Sequence, residues 1–264
     1  MQAPKSSHIS APVAASGNRR WERVSAVLLV AALMGAAVLG GAACGRAEED
    51  PTPMSSPNLT AREIISSSAQ AMESVDSFRL VLSHDGGGTP AALGLEVTEI
   101  ACDVLRPDRL SGTIEAMLMG SFVRLQLVTV GATSYMTNPF NDEWEQVSTK
   151  FDASGLFDPD SSFAAMLGGM TNPTRVNDEK VDGVDSYHIE GKIASKDLYP
   201  IVLLLRLTPA EGVDDDMEIW IGMDDLLLRR VRIKGQITAD EKPGIVRTMS
   251  LSKFGQEVEI ELPD

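Results

Sequence analysis

Two spacings of apolar residues run along this chain, and each implies its own kind of element. The first is helical. Thr60-Ala61-Arg62-Glu63 has the form of a capping box, and Ile64, Ile65, Ser68, Ala71, Met72 and Val75 then recur on one face. The spacing predicts a helix over 61–75. After it a period of two takes over. Phe78, Leu80 and Leu82 alternate with polar partners. So do Ile100, Cys102 and Val104, then Leu110, Ile114, Ala116 and Leu118, then Val123, Leu125 and Leu127. Tyr135 and Met136 mark another short strand. Further strands are predicted at 175–181, 186–193, 217–223, 226–236, 246–254 and 257–262, with Asp224-Asp225 as a hairpin turn. Two apolar stretches interrupt the alternation. Residues 161–170 read as a short helix. Residues 197–207 contain Pro200 at a first helical turn and an all-apolar run at 201–205, which favours a buried helix, with a strand as the alternative.

About nine strands joined by short polar breaks form an antiparallel meander. A sheet that long curls under its own twist. One face needs cover, and the apolar helices are the only segments able to give it. The expected fold class is α+β: a strongly curved antiparallel sheet, a half-barrel, wrapped around a few helices as a single domain.

The first residues follow neither spacing. Lys5, Arg19, Arg20 and Arg23 precede 20 uncharged residues, 24–43, that end in Gly40-Gly41-Ala42-Ala43 before Cys44. A basic start, an apolar middle and small residues before a cleavage point are the pattern of a secretory signal. Small residues directly before a cysteine also resemble a bacterial lipobox, in which the cysteine thiol is lipidated. Gly41 departs from that pattern, which has Leu there. An uncleaved anchor helix, or cleavage that leaves Cys44 free, are the alternatives. Residues 46–58 carry three consecutive acids and three prolines and read as a tether. The expected organisation is a lipoprotein-type signal at 1–43, a lipidated N-terminus and tether at 44–58, and a body at 59–264.

The whole chain has 264 residues, 23 basic and 38 acidic, for a net charge of −15. Removing the leader's four basic residues and its one acid, Glu22, takes the net charge to −18. Such a body argues against nucleic acid and is repelled by an anionic membrane surface, so attachment through an acylated Cys44 is the physical route to a membrane.

Chemistry is sparse. His84 and His188 lack neighbours at triad or metal-ligand spacing and read as exposed surface residues; no metal and no cofactor are expected. Asp85-Gly86-Gly87-Gly88 reads as a hairpin loop, and Asp214-Asp215-Asp216 as a solvated turn. Cys102 reads as a small core residue. Several methionines, including Met117, Met119, Met136, Met166, Met170, Met217, Met223 and Met249, lie in or beside apolar stretches. Core filling is the ordinary reading, and a cavity lining for flexible acyl chains the sharper one.

Several short segments, in order, carry a resemblance. They are Cys44 with its acidic tether, Val75-Asp76-Ser77-Phe78, Arg106-Pro107-Asp108, the run 184–192, Met217-Glu218-Ile219-Trp220-Ile221, and the run 251–260. Over residues 59–263 the chain resembles the LppX/LprA/LprF/LprG family of bacterial lipoproteins. That resemblance implies a LolA-like half-barrel, an apolar cavity for acylated lipids or glycolipids, lipid transport in the envelope, and no catalytic residues. The expected site is therefore apolar. Its candidates by periodicity are Leu80, Leu82, Ile114, Leu118, Leu125, Leu127, Met166, Leu167, Met170, Leu203, Leu204, Ile219 and Ile221. The expected partners are an acylated lipid or glycolipid and the membrane, on the outer face of the bacterial cytoplasmic membrane. An envelope transporter or acceptor protein is left unnamed. A non-enzymatic sensor or protein-interaction module on the same scaffold is the alternative.

Overall fold

The computed structural model describes residues 59–263 apart from 92–93, 148–150, 152 and 243. The signal at 1–43, Cys44 and the tether lie outside the described residues.

The first element among the described residues is α1 (Ala61–Glu73). Its capping box is formed: Glu63 N donates to Thr60 Oγ1 at 3.3 Å, and Thr60 N donates to Glu63 Oε2 at 2.8 Å. The strands that follow are β1 (Ser77–Asp85), β2 (Thr89–Pro90), β3 (Leu95–Leu105), β4 (Arg109–Leu118), β5 (Ser121–Val130), β6 (Thr133–Thr137) and β7 (Trp144–Gln146). A 3-10 turn (Ala153–Leu156) and α2 (Phe163–Gly169) lead to β8 (Thr171–Arg175), β9 (Glu179–Val181) and β10 (Val184–Ala194). A second 3-10 turn (Ser195–Asp197) and α3 (Tyr199–Leu205) precede β11 (Asp214–Gly222), β12 (Leu228–Lys234) and β13 (Val246–Ser252).

All these strands belong to one antiparallel sheet, in the order β7-β6-β5-β4-β3-β1-β13-β12-β11-β10-β8, with β2 added to β3 and β9 to β10. The chain builds outward from β1 to one edge and crosses over through α2. It then builds back from the other edge until β13 meets β1. Because every neighbour is antiparallel, side chains of one face stay in register across the sheet. Leu125, Ile114, Ile100, Leu82, Met249, Val231, Ile219 and Ile189 are successive ladder partners across eight strands. All eight are buried. Bulges between Val97 and Glu99, Glu190 and Lys192, and Trp220 and Ile221 add local twist. The result is an open, curved sheet whose apolar face is concave.

The three α-helices bury their apolar sides in that same core. α1 packs on α2 and α2 on α3. Phe78 of β1 meets Phe163 of α2 and Phe157 edge-to-face, at centroid distances of 5.6 and 5.9 Å. The predicted α+β half-barrel is the observed fold.

Three local expectations are corrected. The strand predicted at 175–181 is two strands, β8 and β9. The segment between them turns where Arg175 pairs with Asp178 at 2.5 Å. Residues 257–262 join no ladder, because both edges of β13 are already taken by β1 and β12. Their alternation survives as packing: Ile260 is buried, Val258 and Leu262 are half-buried, and Arg109 Nη1 donates to the Ile260 carbonyl at 2.7 Å. Asp214–Asp216 is not a solvated turn; it starts β11, and Asp215 is buried. β7 was not foreseen either. It is a fully exposed edge strand with no alternation to reveal it.

Gly112 tests the tightness of the inner face. A Cβ there would stand 2.3 Å from the Ala101 carbonyl oxygen and 2.5 Å from Cys102 Cβ. Gly112→Ala is expected to cost about 1–3 kcal/mol of stability through overpacking, read as a lower urea midpoint at unchanged slope.

Candidate functional site

Within the concave side, β3, β4 and β6 face the C-terminal end of α3 across a small gap. Val97, Ile100, Ile114, Met136, Leu204 and Leu205 are among its lining, with Ala91, Leu95, Phe151 and Arg206 at the rim. Its volume is about 30 Å³. A neighbouring gap of about 10 Å³ lies between Leu110, Ala153, Leu156, Leu203 and Leu204. Pockets for small organic ligands hold about 300–1,000 Å³, so the interior is closed in this state.

α3 forms the facing wall. It has seven residues, no side-chain N-cap bond, Pro200 in its first turn and Arg206 in the left-handed region at φ 54° to end it. A helix this short is held by packing, not by its own hydrogen bonds. Its buried residues are Pro200, Ile201, Leu204 and Leu205.

Of the residues expected at a cavity, Ile114 and Leu204 line the gap and Leu203 lines its neighbour. Leu118 is half-buried. Leu80, Leu82, Leu125, Leu127, Met166, Leu167, Met170, Ile219 and Ile221 are buried in the packed core around it. Met136, one of the methionines read as a possible cavity lining, does line the gap, whereas sequence reasoning passed over Val97, Ile100 and Leu205. They share their period with the chosen residues, and only the ladder and the seat of α3 single them out. Met119, in contrast, is 96% exposed on the β4–β5 turn.

The concave face is not apolar to its end. Arg247, a ladder partner of both His84 and Ile233, is fully buried. Its Nη2 pairs with Glu241 Oε1 at 2.5 Å, and both side chains are wholly enclosed. Glu241 comes from the β12–β13 connection, where its Oε2 accepts Ile237 N at 2.7 Å. Arg247 Nε donates to Thr89 Oγ1 at 3.0 Å. That hydroxyl lies 2.8 Å from His84 Nε2, and His84 Nδ1 lies 3.0 Å from the Thr98 carbonyl. The network assigns the proton to Nδ1, so that Nε2 accepts from Thr89. Nearby, Ser195 Oγ donates to Asp215 Oδ2 at 2.8 Å. Gly235 is required beside it: a Cβ there would come within 1.8 Å of Asp215 Oδ1.

The two histidines are thus not exposed surface residues. His84 is half-buried in this network, and the side chain of His188 is 13% exposed. Among the described residues, His188, Glu190 and Glu218 bring metal-ligating atoms within 4.8 Å of one another, on the convex side of the sheet. Burial pushes the Cys102 thiol up to about 12, which makes it inert.

An antiparallel half-barrel whose apolar interior is covered by short helices is the class of fold that these residues define. This chain belongs to the LppX_LprAFG lipoprotein family, whose family model matches residues 60–260. Among its relatives is the lipoarabinomannan carrier protein LprG of Mycolicibacterium smegmatis, 25% identical over 114 residues. That match spans 43% of this chain and 44% of LprG, less than half the relative's length. The fold is similar to that of LprF from Mycobacterium bovis, at a TM-score of 0.63 and 20% identity, covering 77% of this chain and 96% of that one. It is also similar to that of the lipoprotein LppX from Mycobacterium tuberculosis, at a TM-score of 0.54 and 18% identity, covering 76% and 98%.

The buried network makes stability depend on pH. Burial, assisted by the positive charge of Arg247, holds His84 below its ordinary value of 6.5, against the opposing pull of Thr98 and Glu241. The folded state therefore keeps His84 neutral while the unfolded chain protonates it. Its contribution is complete above about pH 6.5 and is lost as pH falls from there toward the folded value. Asp215, raised by burial, acts in the opposite sense nearer its own range. The urea midpoint is expected to drop between pH 7.5 and 5.5, and His84→Gln to shrink that drop relative to wild type.

Proposed function

We propose that this chain is a membrane-anchored, extracytoplasmic lipid-binding lipoprotein that takes acylated lipids or glycolipids into its concave face for transport or transfer within the cell envelope. The observation that carries this reading is the row of eight apolar side chains across the inner face, closed by a seven-residue helix across a gap with an almost wholly apolar lining. Each acyl methylene moved from water into such a space is worth about 0.8 kcal/mol. A few chains therefore bind firmly without charged contacts. Admission requires α3 to move off the β3–β4 wall. An acyl chain would replace the leucines of α3 with groups of the same kind, so the exchange leaves no polar atom stranded. The relative named as a lipoarabinomannan carrier supports a glycolipid as ligand. Anchoring through Cys44 and a position on the outer face of the cytoplasmic membrane follow from the leader and the lipoprotein family. The reading is non-enzymatic: at the rim, His84, Thr89, Arg247 and Glu241 are engaged with one another.

A second reading, a sensor or protein-interaction module, has one observation in its favour. Met119 and Phe140 project from the β4–β5 and β6–β7 turns, 96% and 86% exposed, outside the concave face.

Solvent extraction of the protein purified from its native membrane, followed by mass spectrometry, distinguishes the two. Lipid binding predicts a co-purifying acylated lipid in near-stoichiometric amount. An extract free of lipid, together with no uptake of a fluorescent acyl probe, would leave the interaction module standing.

A further inference from the structure

The convex side of β10 and β11 carries a cluster that lipid binding does not use. Glu190 and Glu218 are direct ladder partners, and two carboxylates facing each other across a ladder repel. The repulsion is only half relieved. Arg232 of β12 holds Glu218 Oε1 at 2.5 Å. Glu190 is exposed and has neither a hydrogen bond nor an ion pair among the described residues. His188, two residues from Glu190 on the same face of β10, brings its Nε2 to 3.3 Å from Glu218 Oε2. That nitrogen is buried and lacks a hydrogen bond of proper geometry.

The rest of the imidazole is held in place. Trp220 stacks on it at a centroid distance of 4.3 Å and 15° between planes. On the other ring edge, Glu179 Oε1 lies 3.5 Å from Nδ1, and the Trp220 indole N–H donates to that same oxygen. A carboxylate behind one ring nitrogen, with the other nitrogen turned toward the remaining oxygen of Glu218, is how proteins orient a metal-binding histidine.

We infer that His188, Glu190 and Glu218 form a binding site for a divalent transition-metal ion of the Zn²⁺ type, with Glu179 as a positioning residue. The donor set selects the ion. Imidazole nitrogen with carboxylate oxygen suits Zn²⁺, at bond lengths of about 2.0–2.2 Å, whereas Ca²⁺ and Mg²⁺ take oxygen ligands. The three donor atoms already lie within 4.8 Å of one another, and the exposed Glu190 side chain is free to close the remaining distance. A bound cation also removes the repulsion between Glu190 and Glu218 and ties β10 to β11. Sequence spacing hides the site, because Glu218 arrives across the ladder. This inference is independent of lipid binding and contradicts the expectation of no metal.

The test is Zn²⁺ titration of the full chain after EDTA treatment, followed by calorimetry and by the fluorescence of Trp220. One equivalent is expected to bind and change the emission. Trp220→Phe should lose that change and keep the calorimetric binding. His188→Gln should abolish binding and Glu190→Gln should weaken it at least about tenfold. Glu179→Gln is expected to raise the Kd by about 10–100-fold while leaving the metal-free melting temperature in place. Ca²⁺ and Mg²⁺ should not compete. If His188→Gln does not fold, Glu190→Gln, on an exposed side chain, carries the test alone. No stoichiometric uptake, or uptake unchanged in Glu190→Gln and His188→Gln, would overturn the site and leave His188 as a structural residue between Glu179 and Glu218.

Discussion

Eight apolar side chains, from Leu125 on β5 to Ile189 on β10, stand in one row across the sheet, and a flat sheet would leave that row in water. The constraint on everything else is how to cover it. Among the described residues there is no second sheet, and each helix is too short to cover the row alone. The sheet therefore curls, and three helices fill the hollow. α1 and α2 cover the middle around Phe78. α3 covers the β3–β4 wall. The order of the strands places the join in the middle: the first half builds outward from β1, the second builds inward to β13, and the two meet at the centre of the row.

Where the apolar row ends, a charged pair begins. Arg247 lies on the same face and is as buried as its neighbours, with Glu241, Thr89 and the polar shell of His84 around it. A buried ion pair is a poor source of stability compared with packed hydrocarbon, but removing one partner costs about 3–5 kcal/mol, because the other charge is stranded. Its effect here is positional. It fastens the β12–β13 connection to the rim and fixes where the apolar interior stops. α3 is seated differently: Ile201, Leu204 and Leu205 enter the apolar core, and Tyr199 Oη donates to Asp197 Oδ1 at 3.3 Å.

Much of this was legible in the residues, and the reasons for the rest are physical. α1 was plain because Thr60 and Glu63 cap it and its stripe is regular. β1, β3, β4 and β5 were plain because one face is wet and the other dry. Residues 257–262 misled because alternation reports burial on one side, not the presence of a free strand edge. The aspartates of β11 misled because Asp215 is accommodated inside by Ser195, the Gln236 backbone and the space at Gly235, which come from elsewhere in the chain. The gap itself could not be read. Ile114 lines it while Leu125, its ladder partner, does not, and periodicity treats the two alike. His188 looked isolated for the same reason: its neighbours come from β9 and β11.

An apolar interior closed to about 30 Å³ and a lipid-binding function are compatible only if the closure is local and reversible. Hydrogen exchange of the α3 amides (Tyr199–Leu205), with and without a diacylated phospholipid, measures this most directly. The account predicts that in the free protein these amides exchange faster than those of α1, by local opening. It also predicts that their exchange changes on adding lipid while that of α1 does not. Exchange of α3 as slow as that of the central strands, and unmoved by lipid, would contradict it.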